Sequence, residues 1–321
     1  MKKKKILFTL LLIPGLLTGC RSQAEKEAAT LKSLAEESQI TVHEEEISVP
    51  GLKEEFHLDF LADTHVSLCD DRDEALMEKA SQRYEGFRSP QGNGADLTFQ
   101  SLMNYVKTDS PDLLVLGGDI IDSAMYASID FVQQELENSV VSWLYSMGNH
   151  DFEYGSEYFS KTAYSEYLPR LKEISNTESG FQIIEYEDFL IFAADDKNNQ
   201  IRKKILAGFK EALEKGKPIL LVMHVPIEPL TENTLLEDSI QVWGPSDSGH
   251  SRVLLGENSC VPNETTQEFL DLVLAEDSPV FLVLAGHIHF YHKDSLNGAI
   301  TQIVTGAGYQ NEIVSLTLKP E

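Results

Sequence analysis

The chain has few cysteines, only Cys20, Cys69 and Cys260 among 321 residues. That is too few for a disulfide-stapled fold, and no pair has zinc-finger spacing. Positive charge is also scarce. The 26 Lys and Arg face 52 Asp and Glu, a formal net charge of −26. A basic surface for phosphate backbones is absent, so nucleic acid is excluded as a partner. No apolar run reaches the ~20 residues of a membrane-spanning helix. What remains is ordinary globular material, 42% hydrophobic and 24% charged. It suffices for one large α/β domain or two small ones.

Four of the basic residues, Lys2 to Lys5, precede the apolar stretch Ile6 to Leu17. This is the anatomy of a secretory signal. It ends in Leu17-Thr18-Gly19-Cys20, which resembles the lipobox of bacterial lipoproteins. Residues 1–20 are therefore expected to be a lipoprotein signal peptide, with Cys20 lipidated after cleavage. The alternatives are an uncleaved anchor or an ordinary signal with a chance cysteine. Lipid on one cysteine tethers a protein to a membrane without crossing it. The expected location is extracytoplasmic, at the bacterial membrane or envelope. Residues 21–46 are polar and charge-rich and read as a tether, with an amphipathic helix over Ala24 to Ser38 as the only local pattern.

From Ile47 onward, strands alternate with helical stretches, which indicates an α/β fold. Five apolar strands end in polar, metal-binding residue types. Phe56 to Ala62 leads to Asp63-Thr64-His65, whose carboxylate and imidazole, two apart, point the same way. Pro111 to Leu116 leads to Gly117-Gly118-Asp119-Ile120-Ile121-Asp122, where glycine permits a sharp turn. Val140 to Met147 leads to Gly148-Asn149-His150-Asp151, and here Asp151 reads as the cap of a following helix. Pro218 to Met223 leads to His224. Val280 to Ala285 leads to Gly286-His287-Ile288-His289. Ligands of open α/β sheets collect at the carboxyl ends of strands. Two polar stretches, Val66–Asn93 and Glu228–Pro262, read as long loops at the rim. Trp243, His250 and Arg252 stand out in the second. Cys69 and Cys260 lie in these loops, and both a disulfide and two free thiols are open.

The five strand ends, in this order, resemble the motifs D-x-H, G-D-x-x-D, G-N-H-D/E, H and G-H-x-H of the calcineurin-like metallophosphoesterases. The resemblance runs from about Phe56 to Leu318 and makes residues 47–321 the catalytic domain. It implies a sandwich of two mixed β-sheets flanked by helices. It also implies a ligand scheme. Asp63, His65 and His289 hold one metal; Asn149, His224 and His287 hold the other; Asp119 bridges them. Such mixed nitrogen and oxygen donors suit Mn, Fe or Zn. Two divalent or trivalent ions would reverse the field of an acidic protein inside the site. The reaction implied is hydrolysis of a phosphate mono- or diester by a metal-bridging hydroxide. His150 is expected as general acid or charge stabiliser and Asp122 as the residue that orients it; Asp122 also reads as the N-cap of a helix from Ser123. The substrate expected at the envelope is a phosphorylated small molecule or a lipid headgroup. The rival reading is a metal- or phospholigand-binding lipoprotein without catalysis, which would need the ligands but not the His150–Asp122 pair.

Overall fold

A computed structural model of the chain describes residues 39–152, 161–175, 180–230, 234–245 and 254–321. The expectations for Cys20, the signal peptide and the Ala24–Ser38 helix lie outside those residues, as do His250 and Arg252. No helix among the described residues is long and apolar enough to cross a membrane.

Among the described residues, eleven strands form two mixed sheets. The first contains β1 (Thr41–Val49), β2 (Phe56–Leu61), β3 (Leu113–Leu116), β4 (Trp143–Tyr145) and β11 (Glu312–Pro320), in the order β1-β11-β2-β3-β4. The second contains β5 (Phe181–Glu185), β6 (Leu190–Ala194), β7 (Ile219–Val222), β8 (Val280–Ala285), β9 (His292–Ser295) and β10 (Thr301–Val304), in the order β5-β6-β7-β8-β10-β9. In each sheet the central strands run parallel: β2-β3-β4 in one and β6-β7-β8-β10 in the other. Strands covered on both faces read as continuous apolar runs. Every residue of β3 and β7 is accordingly buried.

Three apolar layers hold the sandwich. Leu58, Phe60, Val115 and Leu144 of the first sheet share one cluster with Ile191, Leu220, Val222, Leu282, Leu284 and Ile303 of the second. The outer face of the first sheet is covered by α2 (Ala95–Asp109), α3 (Tyr126–Ser139) and α4 (Lys161–Ser175). The second sheet is covered by α5 (Lys203–Leu213) and α7 (Glu264–Val273). α5 shows the underlying pattern: Ile205, Leu206, Phe209 and Ala212 are buried, while Lys203, Lys204 and Lys210 face water, a stripe of helical period.

The structure departs from the sequence expectations in three places and decides between the two readings of the cysteines. The stretch read as tether up to Glu46 already contains β1, which pairs parallel with β11 from Thr41↔Glu312 to Val49↔Pro320. Its run Glu44-Glu45-Glu46 hides an edge strand whose partner lies at the far end of the chain. The stretch Val66–Asn93 is not a bare loop. It holds a 3-10 turn (Asp71–Leu76) and α1 (Met77–Gly86), whose only buried residue is Ala80, too little apolar pattern to read. The stretch Glu228–Pro262 contains α6 (Thr234–Trp243). Cys69 and Cys260 are both free thiols. They point to separate backbone carbonyls, of Asp73 and Asn199, each at 3.3 Å.

Leu284 tests the inter-sheet layer. It is fully buried on β8, and Leu284→Ala should cost about 2–5 kcal/mol in urea unfolding. A loss below about 1 kcal/mol would contradict its placement between the sheets.

Candidate metal centre

The carboxyl ends of β2, β3, β4, β7 and β8 meet at one edge of the sandwich. The backbone beyond each strand is still tied to its neighbours. Asp63 N–H donates to Gly118 O (3.0 Å), His65 N–H to Asp119 O (2.9 Å), and Gly286 N–H to His224 O (3.0 Å). The turns are tight enough to push side-chain-bearing residues into left-handed backbone. Asp63, His65, Asp119, His287 and His289 have φ of +55°, +50°, +53°, +74° and +62°. Each costs about 1–3 kcal/mol and persists only when the surroundings enforce it. Gly118 and Gly148 permit the close approach: a Cβ on Gly148 would lie 2.2 Å from Asp119 Oδ1, and one on Gly118 would lie 2.5 Å from Gly148 N.

Six of the seven expected ligand positions come together in two groups. Donor atoms of Asp63, His65 and His289 lie within 4.8 Å of one another, and so do those of Asp119, His224 and His287. His289 Nε2 is 3.2 Å from His65 Nε2 and 3.2 Å from Asp63 Oδ1. His224 Nε2 is 3.1 Å from Asp119 Oδ2. Asn149 adjoins them through Gly148, and its buried Oδ1 receives no hydrogen bond; nor does the buried Oδ1 of Asp63. A buried carbonyl or carboxylate oxygen without a donor is costly unless a cation meets it.

The hydrogen bonds behind these atoms aim them inward. His224 donates from Nδ1 to Gly117 O (2.8 Å), which leaves Nε2 as the ligand atom. Asp63 Oδ2 accepts from His287 N (2.8 Å), and Asp119 Oδ1 accepts from His150 N (2.7 Å). Burial opposes charge on His224, yet the Asp119 carboxylate outweighs it and lifts the imidazole to about 10. The residues therefore fit a pair of metal ions in donor type, burial and orientation.

Asp122 and His150 also meet. His150 Nδ1 is 2.8 Å from Asp122 Oδ1. Asp122 does not cap a helix; the N-cap of α3 is Met125. Burial works to raise the Asp122 carboxyl, but His150, His65 and Arg83 outweigh it and hold it well below the usual carboxylate range. Burial likewise opposes charge on His150, and the Asp119 and Asp122 carboxylates reverse that and raise it. The Asp122 carboxylate is thus the acceptor that faces His150 Nδ1.

Three functional positions escaped the sequence reading. Arg83 of α1 grips Asp122 with two bonds, Nε to Oδ2 (2.6 Å) and Nη2 to Oδ1 (2.9 Å), and its Nη2 lies 3.1 Å from His150 Nδ1. Asp151 is a fully buried anchor. It accepts from Asp119 N, Ile121 N and Gly148 N, and from Tyr145 Oη, at 2.7–3.1 Å. Asp196 does the same for His224 N (2.9 Å) and Val225 N (3.0 Å). Only its place after β6 could have singled out Asp196, and nothing in the polar stretch around Arg83 could have singled out that residue. Aromatic rings wall the mouth. Phe87 stacks on His65 at 3.9 Å, and Trp243 and Tyr309 present edges to His289 at 5.8 and 5.4 Å.

A family model described as calcineurin-like phosphoesterase matches residues 56–291. The chain belongs to the calcineurin-like phosphoesterase family. The match takes in all five strand ends, and the two mixed sheets flanked by helices are that family's architecture. No curated protein sequence matches the chain. Among solved structures, a dimetal phosphatase from Danio rerio is 13% identical at a TM-score of 0.48, with 79% of this chain and 88% of that one covered. A purple acid phosphatase from yellow lupin is 12% identical at 0.49, covering 82% of this chain and 45% of that one. A putative 5'-nucleotidase from Staphylococcus aureus is 11% identical at 0.46, covering 84% and 51%. This chain thus spans about half the length of those last two.

Asp151 tests the anchoring. Asp151→Ala removes the acceptor for three backbone donors and should weaken metal binding by about 10–100-fold in equilibrium dialysis. Unchanged affinity in a folded variant would show that the turns hold their shape without it.

Proposed function

We propose that this calcineurin-like phosphoesterase hydrolyses a phosphate mono- or diester at a dinuclear metal centre. Asp63, His65 and His289 would hold one ion, Asn149, His224 and His287 the other, with Asp119 shared. The imidazole and carboxylate donors favour Mn, Fe or Zn. Bound there, the pair would polarise a phosphoryl oxygen and bring the pKa of water toward neutrality.

The observation that carries catalysis rather than binding is the His150–Asp122 contact of 2.8 Å beside the ligand cluster. A protein that only holds a metal or a phosphorylated ligand has no use for a raised, oriented imidazole there. With Nδ1 committed to Asp122, His150 has Nε2 to offer to the leaving-group oxygen as proton donor or charge stabiliser. Arg83 supports this by keeping Asp122 ionised. The aromatic wall of Phe87, Tyr309 and Trp243 shields the ligands from bulk water on one side. Substrate would be a phosphorylated small molecule or a lipid headgroup, met outside the cytoplasm by a protein tethered through lipidated Cys20. The lipobox-like Leu17-Thr18-Gly19-Cys20 supports that location.

Three measurements test these roles. His150→Ala should lower kcat by ~10²–10⁴ with metal content intact, and Asp122→Ala should also slow turnover with both ions kept. Asp119→Ala should lose both ions. Loss of metal in His150→Ala would contradict its assignment. Mn-loaded protein assayed on mono- and bis-nitrophenyl phosphate should turn over at least one; hydrolysis of neither would return the chain to a binding role. Expressed in a bacterium fed labelled palmitate, the full chain should carry label in the membrane fraction and Cys20→Ser should not. Equal labelling of both would overturn the anchor.

A further inference from the structure

The other end of β2 carries a second cluster. His57 and Asp59 are two apart on the strand and share the face that Leu61 turns to the helices, while Leu58 and Phe60 turn to the opposite sheet. Asp109, the last residue of α2, lies over them. His57 Nε2 is 3.0 Å from Asp109 Oδ2, 3.9 Å from Asp59 Oδ1 and 3.0 Å from Ser315 Oγ on β11. One donor atom from each of His57, Asp59 and Asp109 falls within 4.8 Å of the others. Zinc bonds of about 2.0–2.2 Å in tetrahedral geometry set ligand atoms about 3.3–3.5 Å apart, which matches this spacing.

The decisive group is Asp59. It is fully buried, and its carboxylate oxygens meet no donor other than the carboxyl group of Asp109. A second carboxylate, Asp109, adjoins it at the carboxyl end of a helix, where the backbone dipole already adds negative charge. Burial, then the Asp109 charge, push the Asp59 carboxyl up to about 8. Without a cation its only relief is a proton, and a protonated Asp59 has Asp109 as its acceptor. A metal ion would satisfy both carboxylates and the imidazole at once. The side chains of His57 and Asp109 are 30% and 29% exposed, so an ion can reach the cluster from solvent.

We infer that His57, Asp59 and Asp109 form a separate site for one divalent transition-metal ion, a structural clamp joining β2 to the end of α2. One imidazole with two carboxylates favours zinc or manganese over calcium or magnesium. Four residues at ~3.3 Å each put Asp59 about 13 Å from Asp63 along the strand. The clamp ion is therefore not one of the catalytic pair.

The test counts zinc bound to the full chain after dialysis, by elemental analysis, and reads the thermal midpoint. Asp109→Ala and Asp59→Asn should each bind one equivalent fewer than the unaltered chain and should keep phosphoesterase turnover. In an Asp119→Ala background, which disables the catalytic centre, one equivalent should remain and zinc should raise the midpoint. Adding Asp109→Ala to that background should abolish both effects. Equal zinc uptake in that background with and without Asp109→Ala overturns the clamp, whatever becomes of the catalytic reading. So does zinc-independent stability that falls as pH rises from about 4 to 8, the mark of Asp59 and Asp109 sharing a proton instead.

Discussion

Buried negative charge is the constraint on which the structure turns. Asp63, Asp119, Asp122, Asp151 and Asp196 are all enclosed within one edge of the sandwich. Carboxylates taken out of water must find cations or hydrogen-bond donors. The chain divides the task. Asp151 and Asp196 are met by backbone N–H groups, Asp122 by Arg83 and His150, and Asp119 by His224 and the His150 amide. Asp63 keeps one oxygen without a donor, and so does Asn149. The unmet demand thus falls on the atoms that face the middle of the site. His224, Asp63 and Asp119 are each held by a hydrogen bond on the side away from the middle, so a cation entering there meets ligands already oriented.

That arrangement depends on two sheets at once. β2, β3 and β4 supply Asp63, His65, Asp119 and Asn149, while β7 and β8 supply His224, His287 and His289. The inter-sheet apolar layer sets the distance between the two halves. Five ligands in left-handed backbone, at about 1–3 kcal/mol each, could not hold their conformations as free loops. The cost is offset by the short bonds of Asp151 and Asp196 and by the ladder contacts that continue past the strand ends. Gly148 and Gly118 are small for the same reason: the crossing of β3's turn and β4's turn leaves no room for a Cβ.

The catalytic ligands were legible because their signal is local. A strand buried on both faces is a continuous apolar run, and a sudden His or Asp at its end is conspicuous. The six Asp and His positions that cluster and the His150–Asp122 contact could be read that way, as could the α/β class. What could not be read depends on distant partners. β1 carries three consecutive glutamates and is held as a strand by β11 beside it. α1 has one buried residue and is positioned by Arg83 reaching Asp122 and by Phe87 against His65. Asp151 resembles a helix cap locally, since caps and backbone anchors use the same short acceptor. Only the convergence of Asp119, Ile121 and Gly148 on it separates the two.

β2 carries a metal-ligand pattern at both ends, and the differences between the ends separate chemistry from support. At the carboxyl end, glycines and strained backbone bring ligands from both sheets to one point, and a raised imidazole stands beside them. At the amino end, His57 and Asp59 sit in regular strand and meet one helix terminus and one neighbouring strand. No strained residue, no second sheet and no oriented proton donor take part. A cation there neutralises Asp59 and Asp109 and ties α2 to the sheet, with nothing nearby to turn over a substrate. The same residue types therefore serve two purposes, and backbone strain is what tells them apart.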